Sequence, residues 1–156
     1  MRRILNAVLL CSLTSSLAGL GCAHIRGGGD QDDAEHQQEL YCKALHWKDY
    51  DAGSLLLFVD QRADWRRARD KLHDERDLSV TACDLREMRL NATKDAAQAF
   101  VKISWYRLPE SVEKTEEAEE RWIYRGGKWQ LFEEHGGPVG RALESEWRKP
   151  PPLPAN

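Results

Sequence analysis

The chain has 156 residues, 31% of them charged, and a formal net charge of -3 at pH 7. This length suggests one domain. Six tryptophans argue against disorder, because disordered chains are poor in aromatic residues. A mildly acidic composition argues against nucleic acid as the main partner.

The first residues show an export signal pattern. Met1-Arg2-Arg3 is a short basic start, Ile4 to Leu20 is an uncharged apolar run, and Gly21-Cys22 follows. This pattern resembles a bacterial lipoprotein signal, in which a small residue precedes a cysteine that receives a diacylglyceryl chain before cleavage. An ordinary cleaved signal and a single transmembrane anchor are the alternatives. The apolar run is on the short side of the roughly 20 residues that span a bilayer.

The lipoprotein resemblance implies that residues 1–21 are removed and that Cys22 becomes the acylated N-terminus. The lipid membrane is then the first expected partner. Ala23 lacks the acidic side chain that typically retains such proteins at the inner membrane. The resemblance therefore implies a periplasm-facing protein of the cell envelope, at the outer membrane rather than the inner one. Residues 22–33, with the run Gly27-Gly28-Gly29, are predicted to be a flexible tether.

Two cysteines remain in the body of the chain. Cys11 lies in the predicted signal, so Cys42 and Cys83 are left. An exported chain meets an oxidising compartment, which makes these two a candidate disulfide. Two small buried hydrophobic side chains that never meet are the alternative. No C-x-x-C motif or histidine-rich spacing indicates a zinc or redox site, and no metal or cofactor is expected.

Three apolar segments precede the strands. From about Ala34 to Asp51, apolar residues recur at helical spacing, and Gly53 is the predicted stop. Leu55 to Val59 is a short apolar element, and Asp60 to His73 is a second predicted helix. The expected buried stripes are Leu40, Tyr41, Ala44, Leu45 and Trp47 on the first helix, and Trp65, Ala68 and Leu72 on the second.

The second predicted helix is locally basic. One interpretation is a patch for anions or lipid headgroups. The other, which we favour, is a solvated face balanced by neighbouring acids. The cations are Arg62, Arg66, Arg67, Arg69 and Lys71, and the acids are Asp64, Asp70, Asp74 and Glu75.

The strands follow the helices. Leu78 to Leu90 alternates with two shifts of phase, which predicts β-bulges that bend the sheet. The polar turn Asn91–Asp95 leads to a second strand at Ala99–Tyr106, and the turn Leu108–Ser111 leads to a third. The residues expected on one shared face are Val101, Ile103, Trp105, Ala118, Trp122 and Tyr124.

The last hairpin is set by Gly126-Gly127. A two-residue glycine loop fits a primed turn, which needs positive φ. The pairs are then Arg125 with Lys128, Tyr124 with Trp129, Ile123 with Gln130, and Trp122 with Leu131. Side chains alternate across a sheet, so both tryptophans are expected on one buried face.

The elements follow an α+β order: helix, short apolar element, helix, bulged strand and three antiparallel strands. This order resembles the nuclear transport factor 2-like (NTF2-like, cystatin-like cone) superfamily, in which N-terminal helices cover a strongly bent, four-stranded antiparallel sheet. The motifs that carry the resemblance are Trp47-Lys48-Asp49-Tyr50, Trp65, Ala99–Trp105 and Arg121–Trp129 with its W-x-x-x-x-G-x-W ending. The resemblance implies a domain over residues 34–136 and a proline-rich tail over 137–156. Within that tail, Arg141 to Arg148 is expected to form one or two helical turns.

Enzymes of that superfamily, such as ketosteroid isomerases, use acidic, histidine or tyrosine side chains inside the cavity. Acid–base catalysis needs such a group within reach of substrate, with a pKa tuned by burial. The hairpin register places Glu120 opposite Glu133, on the side of Trp122. Close like charges would raise one pKa if both are buried, and full solvation at the wet end of the sheet is the favoured alternative. Other polar groups that could reach a cavity are Tyr106, Tyr124, His46 and Asp84.

No G-x-S-x-G, P-loop or G-x-G-x-x-G motif is present, and no catalytic residue is assigned. We expect a non-enzymatic, membrane-anchored periplasmic domain that binds an envelope protein or a small apolar ligand, or supports envelope assembly. The alternative is a small-molecule isomerase, dehydratase or cyclase with a cavity carboxylate. A cavity filled by tryptophans argues against catalysis, and an open pocket with a carboxylate beside a tyrosine argues for it.

Overall fold

The computed structural model describes residues 28–143. The helices are α1 (Gln31–Trp47), α2 (Tyr50–Leu55), α3 (Arg62–Lys71), α4 (Asp74–Asp77) and α5 (Gly137–Leu143). The strands are β1 (Leu78–Leu90), β2 (Ala96–Arg107), β3 (Lys114–Arg125) and β4 (Lys128–Gly136). The predicted signal peptide, the predicted lipidation site at Cys22 and the tail beyond residue 143 lie outside the described residues.

The strands form one antiparallel sheet in the order β1-β2-β3-β4. The helices pack on its apolar face, where the Tyr41 ring of α1 lies edge-on to Trp122 with centroids 6.3 Å apart. The α+β arrangement of N-terminal helices on a four-stranded antiparallel sheet is therefore confirmed. The buried residues of this face include Val101, Ile103, Trp105, Ala118, Trp122, Trp129 and Leu131.

The first predicted helix is two helices. α1 begins at Gln31, earlier than the predicted start at Ala34, and it ends at Trp47 because Lys48 adopts a left-handed conformation with φ 59°. Asp49 then caps α2 by accepting from the Ala52 backbone N–H at 3.0 Å. The break rotates the end of the buried stripe outward, so Trp47 is 71% exposed and not buried as predicted.

The region after α1 also differs from the prediction. Gly53 lies inside α2 and packs against Trp65, so it does not end a helix. The short apolar element contributes Leu57, which is buried and forms a parallel bridge with Leu131 of β4. α3 ends at Lys71, and Leu72, beyond its end, is 38% exposed rather than part of a buried stripe.

Two shifts of register interrupt the pairing of β1 with β2. They lie between Val80 and Ala82 and between Leu85 and Glu87. The predicted bulges of the first strand are therefore confirmed, because each extra residue reverses the alternation of the side chains that follow it.

The chain continues into α5 directly after β4. Val139 of α5 is fully buried, so the first part of the predicted tail over 137–156 belongs to the packed core. Gly136 and Gly137 both have positive φ, which lets the chain turn sharply from strand to helix. Within residues 28–143, none of the helices combines the length and apolar character needed to span a bilayer.

Candidate functional site

A β-bulge in the last hairpin decides which carboxylates meet. The predicted pairing holds from the glycine turn up to Trp122, and the register then shifts. Phe132 is the extra residue of β4, so Glu120 pairs with Glu134. The prediction that Glu120 faces Glu133 is wrong, because one extra residue moves the following side chains to the opposite face.

The resulting pair lies on the inner face of the sheet, and Glu120 and Glu134 are both fully buried. The Tyr41 hydroxyl of α1 donates to Glu134 Oε2 at 2.7 Å, and Trp122 Nε1 donates to Glu120 Oε2 at 2.8 Å. Within residues 28–143, neither Oε1 atom has a well-formed hydrogen bond. Each carboxyl group therefore has one strong donor in a dry compartment.

Burial raises the pKa of both carboxyl groups. For Glu120 the largest cause is loss of solvent, and the neighbouring Glu134 raises its pKa further. For Glu134, loss of solvent outweighs the Tyr41 hydrogen bond and the charge of Arg69, both of which lower its pKa. Burial also raises the pKa of Tyr41 well above its ordinary value, so its hydroxyl keeps its proton and acts as a donor.

A buried cation lies near this pair. Arg69 of α3 is buried, with Nη1 2.8 Å from Asp74 Oδ2 and its guanidinium 5.5 Å from the ring centroid of Trp65. Arg107 of β2 lies 2.6 Å from the other oxygen of Asp74. The interior thus holds the ion pair of Arg69 and Asp74 beside two carboxyl groups, while Arg107 is 29% exposed. Arg69 is close enough to lower the pKa of Glu134.

The other basic residues of α3 include two that pair at the surface. Arg66 lies 2.6 Å from Asp51, and Arg67 lies 3.0 Å from Asp64. These two ion pairs agree with a solvated helix face. That interpretation is wrong for Arg69, which points into the core on the same side as Trp65.

The core around the carboxyl pair is filled by aromatic side chains. The rings of Tyr41 and Trp65 lie 6.3 Å apart, and Trp122 and Trp129 are buried in the same cluster. Two surface clefts lie near this core. One, of about 770 Å³, lies between the α1–α2 corner and α3–α4, and one, of about 420 Å³, lies beside Cys42 and Cys83. Arg69 and Asp74 line part of the first cleft and Gln38 lines part of the second, but neither cleft is lined by Glu120 or Glu134.

The other predicted candidates lie apart from this pair. Glu133 forms an ion pair with Arg121 across the hairpin, with 3.4 Å between nitrogen and oxygen. His46 is exposed at the end of α1, and Asp84 is exposed on β1. Tyr41 and Trp122 supply the donors to the pair instead. The remaining candidates, both half-buried, are Tyr106 and Tyr124.

Glu134 and Arg69 belong to the buried cluster, and the sequence alone did not predict either of them there. Glu134 directly follows another glutamate, so the sequence does not show which of the two faces inward unless the bulge is known. Arg69 stands one helical turn after Trp65, and this spacing on the buried stripe of α3 was the available signal. Tyr41 was placed on the buried stripe of α1, without its partner.

Cys42 of α1 and Cys83 of β1 form a disulfide, with their Cα atoms 5.7 Å apart. This selects the bridge over the alternative of two separate buried thiols, and it ties the first helix to the edge strand. Among residues 28–143, there is no cluster of three or more His, Cys, Asp or Glu side chains that could hold a metal ion.

No protein-family model matches the sequence, and no curated protein matches it. The chain is similar to the structure of a SEC-C motif containing protein from Rhodopseudomonas palustris, with 12% identity and a TM-score of 0.50 over 61% of this chain and 71% of that chain. Two further matches have TM-scores of 0.48 and cover 66% of this chain. A protein from Xanthomonas campestris pv. campestris, provisionally assigned as a polyketide cyclase, is 15% identical over 90% of its length. An NTF-2 like protein of unknown function from Shewanella oneidensis MR-1 is 13% identical over 94% of its length.

These likenesses bear on the fold alone. The match to the SEC-C motif containing protein assigns no activity to this chain.

Proposed function

We propose that the chain is an exported, lipid-anchored NTF2-like domain that binds a partner protein at the cell envelope and does not catalyse a reaction. The burial of the two carboxyl groups is the observation that supports a role without catalysis. Glu120 and Glu134, the groups best suited to acid–base chemistry, are fully buried among Tyr41, Trp65 and Trp122. A catalytic group must come within hydrogen-bond reach of its substrate, and neither carboxyl group lines the cleft of about 770 Å³ or the cleft of about 420 Å³.

The anchor is supported by the sequence before the described residues and by the disulfide. The basic start, the apolar run and Gly21-Cys22 fit a lipoprotein signal. The bond between Cys42 and Cys83 fits an oxidising compartment outside the cytoplasm. The absence of an acidic residue at Ala23 favours the inner leaflet of the outer membrane.

A short tether would orient the body on the membrane. The few residues between Cys22 and Gly28 span roughly 20 Å at most when fully extended. The Gly29 backbone N–H donates to the Lys94 carbonyl at 2.7 Å, so the chain enters the domain at the end of the sheet that carries the β1–β2 turn. That end would face the bilayer, and the opposite end would face the periplasm.

The periplasm-facing end carries the surface best suited to a partner. His46 Nδ1 lies 2.9 Å from the Val80 carbonyl, which places the end of α1 near the start of β1 and far from the tether. Trp47 stands there 71% exposed, next to Lys48, which lines the cleft of about 770 Å³. Exposed tryptophans beside a cleft are typical anchors in protein interfaces.

Site-specific photo-crosslinking in intact cells tests this proposal. A photoreactive residue in place of Trp47 should give one discrete adduct in the full-length, anchored protein. The same residue in place of Lys94, at the membrane-facing end, should give no protein adduct. An adduct at Lys94 and none at Trp47 would contradict the proposed surface.

The enzyme alternative rests on one specific observation. The cluster of Glu120, Glu134 and Tyr41 combines two carboxyl groups of raised pKa with a hydroxyl donor, which is a set that acid–base enzymes use. If the interior opens to admit substrate, apolar carbonyl compounds should raise the melting temperature, and Glu120→Gln should change that shift. Melting temperatures that do not respond to such a panel support the non-enzymatic role.

A further inference from the structure

Two buried carboxyl groups that face each other across β3 and β4 have no surface role in the proposed function. Glu120 and Glu134 are paired residues of adjacent strands, and both side chains are fully buried. Side chains of directly opposite residues in an antiparallel pair lie close together. Two negative charges at that separation, away from water, repel each other strongly.

The fixed charges around the pair can neutralise one carboxylate and not two. Arg69 is buried against Asp74, and Arg107, which is 29% exposed, pairs with the other oxygen of Asp74, so this cluster carries one net positive charge, part of it at the surface. That charge balances at most one ionised carboxylate in the pair. A second ionised carboxylate would leave a buried negative charge without a counterion, which is strongly unfavourable.

The groups that face the pair from the other elements are neutral. Tyr41 and Gln38 come from α1, Trp122 comes from β3, and the backbone of Gly140 comes from α5. Tyr41 and Trp122 donate hydrogen bonds to the pair, and none of the four adds a positive charge. The net charge around the pair is therefore the net charge of the two arginines and Asp74.

We propose that Glu120 and Glu134 hold one proton between them at neutral pH, and that this proton makes the folded domain more stable in mildly acidic than in mildly alkaline medium. This pair lies in the core and is independent of the anchor and of the partner. It gives the domain a stability that responds to the acidity of its surroundings.

The sign follows from linkage. In the unfolded chain both glutamates release their protons near their ordinary pKa of 4.5, whereas burial holds the pKa values in the folded state at about 8 for Glu120 and about 7 for Glu134. Between pH values near the unfolded and the folded pKa, the folded state binds more protons than the unfolded state. The folding equilibrium constant therefore falls by about tenfold per pH unit for each retained proton.

Urea unfolding of the full-length protein in mild detergent, followed by tryptophan fluorescence, tests the proposal between about pH 5 and about pH 8. The wild-type protein should lose stability as pH rises, and Glu120→Gln with Glu134→Gln together should remove most of that loss. Glu117→Gln, on the exposed face of the same strand, is the matched control and should keep it. Equal pH slopes for the wild type and the double variant would overturn the proposal, because the two proteins differ only at the buried pair.

A second measurement needs no variant that might misfold. Carboxyl carbon NMR of the wild-type protein, labelled at glutamate, should show a glutamate that stays protonated above about pH 6, well beyond its ordinary range. A spectrum in which every glutamate is ionised at that pH would overturn the proposal.

Discussion

The disulfide between Cys42 and Cys83 should supply a large share of the stability of the domain. The bridge closes a loop with a sequence separation of 41. For a loop of this size the chain-entropy model gives about 4 kcal/mol at 25 °C, because the bridge restricts the unfolded chain. Domains of this size are stable by only about 5–15 kcal/mol in total, so the loss would be easy to detect.

The test is urea unfolding of the full-length protein with Cys42→Ala and Cys83→Ala together. The free energy of unfolding should fall by about 4 kcal/mol. Cys42→Ala alone should lower the free energy of unfolding by a similar amount, because the remaining cysteine cannot form the bridge. Adding a reductant should lower the stability of the wild-type protein towards that of the double variant and leave the double variant unchanged. A double variant within about 1 kcal/mol of the wild type would refute the reasoning.

Three further substitutions, one of them with a matched control, test the packing. Arg69→Met should lower the free energy of unfolding by about 1.5–3 kcal/mol, because the buried Asp74 loses one of its two arginine partners and keeps only Arg107. The exposed Arg67→Met should change it by less than about 1 kcal/mol in the same urea titration. Gly140→Ala should lower the melting temperature by several degrees, because a Cβ there would lie 2.6 Å from the Glu134 carbonyl oxygen; an unchanged melting temperature would show that α5 does not pack as described. Trp47→Ala should leave stability within about 0.5 kcal/mol, and a larger loss would mean that this side chain is buried in solution.

The parts of the fold that the sequence predicted are those with a local cause. Gly126-Gly127 sets a two-residue turn, and that turn alone determines the pairing as far as Trp122. The phase shifts of Leu78–Leu90 gave the two bulges of β1. The order of elements gave the α+β class, because helices and strands of these lengths leave few ways to bury an apolar sheet face.

The missed features depend on contacts between distant parts of the chain. Phe132 is apolar and interrupts the alternation of β4, but nothing local shows that it is an extra residue rather than a strand position. Lys48 ends α1 in a left-handed conformation that a lysine rarely adopts, so spacing alone extended that helix. Val139 is buried only because α5 folds back onto the sheet.

In the candidate site too, the features with a local cause were predicted and those that depend on distant contacts were not. Tyr41 was placed on the buried face of α1 by its spacing, and the inward position of Glu120 followed from the hairpin register. The identity of the partner, Glu134, required the bulge. The burial of Arg69 could not be predicted without its partner Asp74, which lies in α4 and reaches the core only in the folded chain.

The intact mass of the protein extracted from cell membranes tests the lipid anchor most directly. The account predicts a chain that begins at Cys22, without residues 1–21, and that carries the added mass of a diacylglyceryl group. Replacing Cys22 with alanine should abolish both the processing and the added mass. A mature protein that begins at any other residue, or one that begins at Cys22 without acyl mass, would contradict the account.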